Sequence, residues 1–125
     1  MANAQPFHTI GQAKVTRIDE LMLSNFTPPA LFPDWDATIV AEHPDWLPPG
    51  TVDESREHLL LSVHTWLIQE PGRTILIDTG IGNGKDRPYA PFFDRLNTSF
   101  IGRLQAMGVE PANVDYVLLT HLHVD

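Results

Sequence analysis

His121, His123 and Asp125 occupy alternate positions of Thr120-His121-Leu122-His123-Val124-Asp125, with apolar residues between them. In an extended chain, side chains two apart project to the same side. Two imidazoles and a carboxylate placed this way converge nitrogen and oxygen donors on one point, as a zinc-type cation requires. Ordinary residue usage gives His-x-His-x-Asp in roughly one chain in a few hundred of this length, so its setting decides its weight. That setting is Val114-Asp115-Tyr116-Val117-Leu118-Leu119, which reads as a buried strand running straight into the motif. Loops just past strand ends are where rigid scaffolds place chemistry. The competing reading is a pair of solvated loop histidines with a capping aspartate.

The elements upstream must hold that loop. Leu59 to Ile68 predicts a strand, with Leu59, Leu61, Val63 and Leu67 on one face and Leu60, Ser62, His64, Trp66 and Ile68 on the other. Both faces are largely apolar, which predicts burial on both sides. Glu70-Pro71-Gly72-Arg73 has Pro and Gly at the two central positions of a type II turn, and Thr74-Ile75-Leu76-Ile77 returns as the partner strand. A helix is expected from Ser99 to Met107, with Phe100, Ile101, Leu104 and Met107 on one side and Gly108 as its cap. Pro111 can start a short turn before Val114. A connection long enough for a helical crossover favours parallel neighbours, which end at the same sheet edge. Asp78, at the end of the strand Thr74 to Ile77, should then emerge beside the loop of His121 and His123, where ligands bind in such sheets.

Thr-His-Leu-His-Val-Asp after an apolar strand, preceded by Ile75-Leu76-Ile77-Asp78-Thr79-Gly80, resembles the metallo-β-lactamase-fold hydrolases. Their motif is His-x-His-x-Asp-His, and the chain matches it up to Asp125; the last histidine and the downstream ligands of the family are not in the sequence. The resemblance covers most of Leu59 to Asp125. It implies an α/β fold, the N-terminal half of a four-layer αββα sandwich. It also implies that His121 and His123 bind one metal ion, that Asp125 binds a second, and that a hydroxide lies between them. Zinc is the expected metal, two ions per complete site, with iron or manganese also accepted by His-carboxylate sites. A bound divalent cation lowers the pKa of water towards about 7 and polarises the bond to be cleaved. Asp125 is the expected catalytic residue, holding the nucleophile and shuttling a proton. The resemblance gives Asp78 the role of orienting the metal loop by hydrogen bonds; from the residues alone it could equally cap loop amides.

The 125 residues suffice for one core, and the expected organisation is a single partial domain over 1–125. Within it, 24–58 is a Pro- and Trp-rich loop segment, and 59–125 holds sheet, crossover helix and metal-motif loop. Hydrophobic residues at 42% and charged residues at 19% are ordinary globular values. A net charge of -8 argues against phosphate-backbone binding, so no nucleic-acid partner is expected. The absence of cysteine excludes disulfides and thiolate metal sites. No apolar run approaches the ~20 residues of a bilayer span, and the first residues lack a secretory pattern, so a cytoplasmic protein without a membrane partner is expected.

Phe7 to Leu23 predicts a hairpin with a period-two signal at Ala13, Val15 and Ile18, broken at Gly11. Asn25 to Thr51 holds six of the eleven prolines, which argues against regular helix across most of it. Its Phe32, Trp35 and Trp46, with Asp34, Asp36 and Asp45 beside the tryptophans, read either as buried anchors of a draped loop or as the rim of a substrate pocket. His64 reads as a satisfied core histidine, His43 as a surface residue, and His8 and His58 as structural or exposed. Asp78-Thr79-Gly80-Ile81-Gly82-Asn83-Gly84 is glycine-rich but lacks the Lys-Ser/Thr ending of a phosphate-binding loop.

The expected function is a metal-dependent hydrolase of ester, lactone or related bonds acting on a small-molecule substrate, of which this chain is the N-terminal half. The Pro- and Trp-rich segment leans towards lactonase-like and organophosphate-hydrolase-like members. Phosphoester, thioester, sulfate-ester and redox branches stay open. The alternative is a non-catalytic metal-binding or interaction fragment without a complete dinuclear site. Taken alone the 125 residues are expected to be inactive and to expose a sheet face that invites self-association into a homodimer.

Overall fold

The computed structural model describes residues 7–124. Strands β1 (Phe7–Ile10), β2 (Ala13–Phe26), β3 (Leu59–Glu70), β4 (Arg73–Ile77) and β5 (Tyr116–Leu118) form a sheet in the order β1-β2-β3-β4-β5. The helices are α1 (Pro28–Leu31), α2 (Ala37–Glu42) and α3 (Phe100–Ala106). The chain divides into two units, Met1–Leu21 with Val63–Asp125, and Met22–Ser62.

In the first unit β1 pairs antiparallel with β2, and β3 pairs antiparallel with β4 from Trp66↔Ile77 to Glu70↔Arg73. Pro71 and Gly72 form the two-residue connection between β3 and β4 that their chemistry predicts. β5 joins β4 in parallel, Ile75 opposite Tyr116 and Ile77 opposite Leu118. The crossover argument therefore holds.

The core is Ile18, Leu67, Leu76, Phe100, Leu104 and Val109, with Met107 and Val114 packed against it. Removing each such side chain from water stabilises the fold by about 1.5–3 kcal/mol. α3 delivers two of them, because Phe100 and Leu104 are four apart and share a face. Ile101, expected on that face, is instead 46% exposed, being one residue round the helix from Phe100. α3 ends in a Schellman motif: Gly108 donates to Gln105 O at 2.8 Å and Val109 to Leu104 O at 3.3 Å. Gly108 takes φ +78°, and the turn swings Val109 back onto Leu104 in the core.

Three expectations are corrected. β5 is not buried: Tyr116, Val117, Leu118 and Leu119 are each about half exposed, since among the described residues β5 is the edge strand and pairs with β4. β3 is buried at Leu59, Val63, Thr65 and Leu67 and only half-buried at the positions between. β2 buries Thr16, Ile18 and Glu20, so Ala13 and Val15 belong to the opposite, half-covered face.

The second unit contains the proline-dense segment, which accommodates more helix than expected. Pro28 and Pro29 occupy the first turn of α1, where no amide bond is forfeited. α2 fits between Pro33 and Pro44 and is capped by Asp36, which accepts from the Thr38 hydroxyl and amide at 2.6 and 2.8 Å. Phe32 and Trp46 are more than half exposed and are not buried anchors. Together with Trp35, Ile39 and Val40 they line an open pocket of about 480 Å³. His43 is exposed and stacks on Trp46 at 4.3 Å.

Asp53 organises the turn into β3. It accepts from the amides of Glu57 and His58, the Ser55 hydroxyl and the His58 ring. Loss of hydration raises its pKa, but the His58 amide and ring, Ser55 and Glu57 outweigh that and bring it to about 2. Because the folded value lies below the unfolded one, Asp53 stabilises this turn above about pH 4, and the contribution fades as pH falls towards 2. Amide exchange at Glu57 and His58 should accelerate across that window, and Asp53→Asn should remove the pH dependence.

Candidate metal centre

The parallel register places the ends of β4 and β5 together. Asp78 follows β4 directly, and its amide donates to Leu118 O at 2.8 Å. It adopts φ +57°, a left-handed conformation that aspartate tolerates better than most residues. Its Oδ1 accepts from the Thr120 amide at 3.0 Å and its Oδ2 from the Thr120 hydroxyl at 2.8 Å. The Thr120 amide, then its hydroxyl, with help from the charges of His121 and His64, outweigh desolvation and hold the Asp78 carboxyl below its ordinary value. Asp78 is therefore ionised at neutral pH and acts only as an acceptor.

That assignment fixes a proton on the neighbouring histidine. The Thr120 hydroxyl has one hydrogen, and the Asp78 carboxylate takes it. Thr120 Oγ1 also lies 2.8 Å from His121 Nδ1, so there it must accept. His121 Nδ1 is therefore the donor in that contact. Anchoring one ring nitrogen in this way is how a metal-ligating imidazole is oriented.

His121 and His123 are exposed, edge to face, with ring centroids 4.6 Å apart. The donor set fits a zinc-type cation: two imidazoles from one short loop, one of them already oriented. Among the described residues no three of His, Cys, Asp and Glu come together as a complete metal-binding group. Asp125, the third donor of the motif, lies outside the described residues. His64 is half-buried, 5.4 Å edge-on from Trp66, and contributes to the field at Asp78. His8 is exposed, and His58 is engaged by Asp53.

The glycine-rich loop after Asp78 has a buried support that the sequence reading missed. Glu20, 6% exposed on the core face of β2, accepts from the Ile81 amide at 2.8 Å and the Thr98 hydroxyl at 2.7 Å. A Cβ on Gly80 would lie 2.0 Å from Glu20 Oε2, so only glycine permits this approach. The available signal was an acid two residues from Ile18, on the same strand face. Glu20, Asn83 and Thr98 form the polar end of a cavity of about 370 Å³ whose apolar walls include Leu76, Phe100 and Leu104.

Comparison with known proteins agrees with this geometry. The model of the metallo-beta-lactamase superfamily matches residues 58–125. The structure is similar to AbOPH, a hydrolase in the beta lactamase superfamily, at 27% identity and TM-score 0.67, over 100% of this chain and 38% of that one. A probable metal-dependent hydrolase from Staphylococcus aureus gives the same identity and TM-score over 94% and 40%. AidC, a dizinc quorum-quenching lactonase, is 18% identical with TM-score 0.62 over 97% and 37%, a likeness of fold alone. The chain thus spans about two fifths of the length of these solved structures. No curated protein matches it. Among the described residues no helix is long and apolar enough to cross a membrane. With its family match over more than half its length and a sheet that ends in the expected loop, the chain belongs to the metallo-beta-lactamase superfamily and has that superfamily's hydrolase-like α/β fold.

Proposed function

We propose that this chain carries the N-terminal part of a metal-dependent hydrolase of ester, lactone or related bonds. His121 and His123 hold one metal ion and Asp125 a second, zinc being the expected element. The observation that carries the reading is the Asp78–Thr120–His121 relay, which anchors the His121 ring through Nδ1 at the end of the sheet. A bound cation of this class supplies Lewis acidity and makes water nucleophilic near neutral pH. The protein's own contribution is orientation: Asp78 fixes the loop and the His121 tautomer, and Asp125 moves a proton towards the leaving group. The likeness to AbOPH, a hydrolase, and the likeness of fold to a lactonase support this reading. A second reading, a non-catalytic interaction module, draws on the half-exposed run Tyr116 to Leu119.

The test is an assay of the full-length protein against an aliphatic lactone, an aryl ester and a phosphotriester, with chelator and with added zinc. Hydrolysis of at least one, lost on chelation and restored by zinc, is expected. No turnover above a His121→Ala control with any substrate overturns the hydrolase reading and favours the second.

A further inference from the structure

Glu20 is the buried acid for which the proposed chemistry has no use. It lies on a core face shared with Thr16 and Ile18, yet both its oxygens point to the connection that follows β4, one to the Ile81 amide and one to the Thr98 hydroxyl. A second clamp secures it from the backbone side, since Arg103 of α3 donates to the carbonyl oxygens of Asp19 and Glu20. Asn83 closes the loop against Thr98 in both directions, its Oδ1 accepting from the Thr98 amide at 2.7 Å and its Nδ2 donating to Thr98 O at 2.9 Å.

The loop so held contains left-handed backbone at Asp78, Gly80 and Gly82, with φ +57°, +73° and +85°. Only Asp78 carries a cost for this conformation, and glycine, which adopts either sign of φ freely, keeps one geometry only where hydrogen bonds hold it. On one side Asp78 is held by β5 and Thr120. On the other, one residue past Gly80, the restraint is the Ile81 amide bonded to Glu20. If that bond is lost, Ile81 has a buried amide without its partner and the backbone at Gly80 can relax. The Asp78 side chain then loses the fixed direction in which it holds Thr120, and through Thr120 the ring of His121.

We propose that Glu20 is a positioning residue for the metal-ligating His121, acting through the Gly80–Ile81 backbone, Asp78 and Thr120. This rests on the hydrolase reading. It makes Glu20 a remote determinant of metal affinity, separated from the histidines in sequence by the whole crossover.

The experiment compares wild type, Glu20→Ala and Glu20→Gln in the full-length protein. Zinc affinity is measured by chelator competition, and amide exchange at Thr120 is followed in the metal-free protein. Glu20→Ala should weaken zinc binding by about 10–100-fold, the range for loss of an outer hydrogen-bond partner, and should speed Thr120 exchange. Glu20→Gln should restore both, since its Oε1 can accept from Ile81 and its Nε2 can donate to Thr98 Oγ1. A lower melting temperature for Glu20→Ala with zinc affinity and Thr120 exchange unchanged shows a purely structural role and overturns the proposal. If Glu20→Ala does not fold, Glu20→Met takes its place. It keeps a side chain of similar length while removing the bonds to Ile81 and Thr98, and unchanged zinc affinity and Thr120 exchange there also overturn the proposal. A His121→Ala control that binds zinc like wild type sinks the metal reading itself. Thr120 exchange then decides Glu20's role separately.

Discussion

Replacing His121 with alanine in the full-length protein should abolish metal-dependent hydrolysis and weaken zinc binding by more than about 100-fold, beyond the upper end for outer-partner losses. The reason is specific to this loop. His121 is the histidine that Thr120 and Asp78 anchor through Nδ1, so its loss removes a donor already held in place. The fold should be nearly indifferent, because His121 is exposed and surface substitutions usually stay within about 0.5 kcal/mol. Calorimetric titration with zinc beside a thermal melt separates the two effects. Zinc affinity retained within a few-fold would remove His121 from the ligand set.

The second large effect comes from an almost isosteric change, Asp78→Asn. Asparagine tolerates φ +57°, and its Oδ1 can still accept from the Thr120 amide, so the turn should survive. Its Nδ2, however, is a donor where the carboxylate was an acceptor. Thr120 Oγ1 must then accept from residue 78 and turn its own hydrogen towards His121 Nδ1. His121 is driven to the tautomer with its hydrogen on Nε2, the nitrogen that should hold the metal. Zinc affinity should fall by about 10–100-fold with little change in melting temperature. Nitrogen-15 NMR of His121 in the metal-free protein reports the tautomer directly; an unchanged Nδ1–H form in the variant contradicts the relay.

Much of this site could be read from local pattern. Pro71-Gly72 specifies a turn on its own, and the crossover between Ile77 and Val114 leaves few ways to return to the sheet. The adjacency of Asp78 to the histidine loop followed from those two facts. The metal motif itself is legible at His121 and His123, while its Asp125 lies outside the described residues. What stayed hidden depends on who covers whom. Val117 and Leu118 have the composition of a buried strand, but an edge position leaves them half exposed. Glu20 has the composition of a surface residue, but it is on the covered face because Ile18 is. Thr120 looked like a spacer, and only the proton count through its hydroxyl gives it a part. Prolines in the second unit discouraged helix by composition, yet Pro28, Pro29 and Pro44 sit in first turns, where they are harmless.

The parallel pairing of β5 also bears on the order in which the chain can acquire its shape. The β3–β4 hairpin closes across two residues, and hairpins of this kind form in about 1–10 μs. Docking β5 instead brings Asp115 to Thr74 and Thr120 to Asp78 across separations of 41 and 42 residues. Closing a loop of that length costs more chain entropy before any contact repays it. The histidine loop is therefore expected to take form after the hairpin, once β4 has given β5 something to dock on. On the proposed function, a cation would meet a chain already collapsed and would stabilise the finished state by mass action, so full-length protein prepared without zinc should be folded and unloaded rather than unfolded.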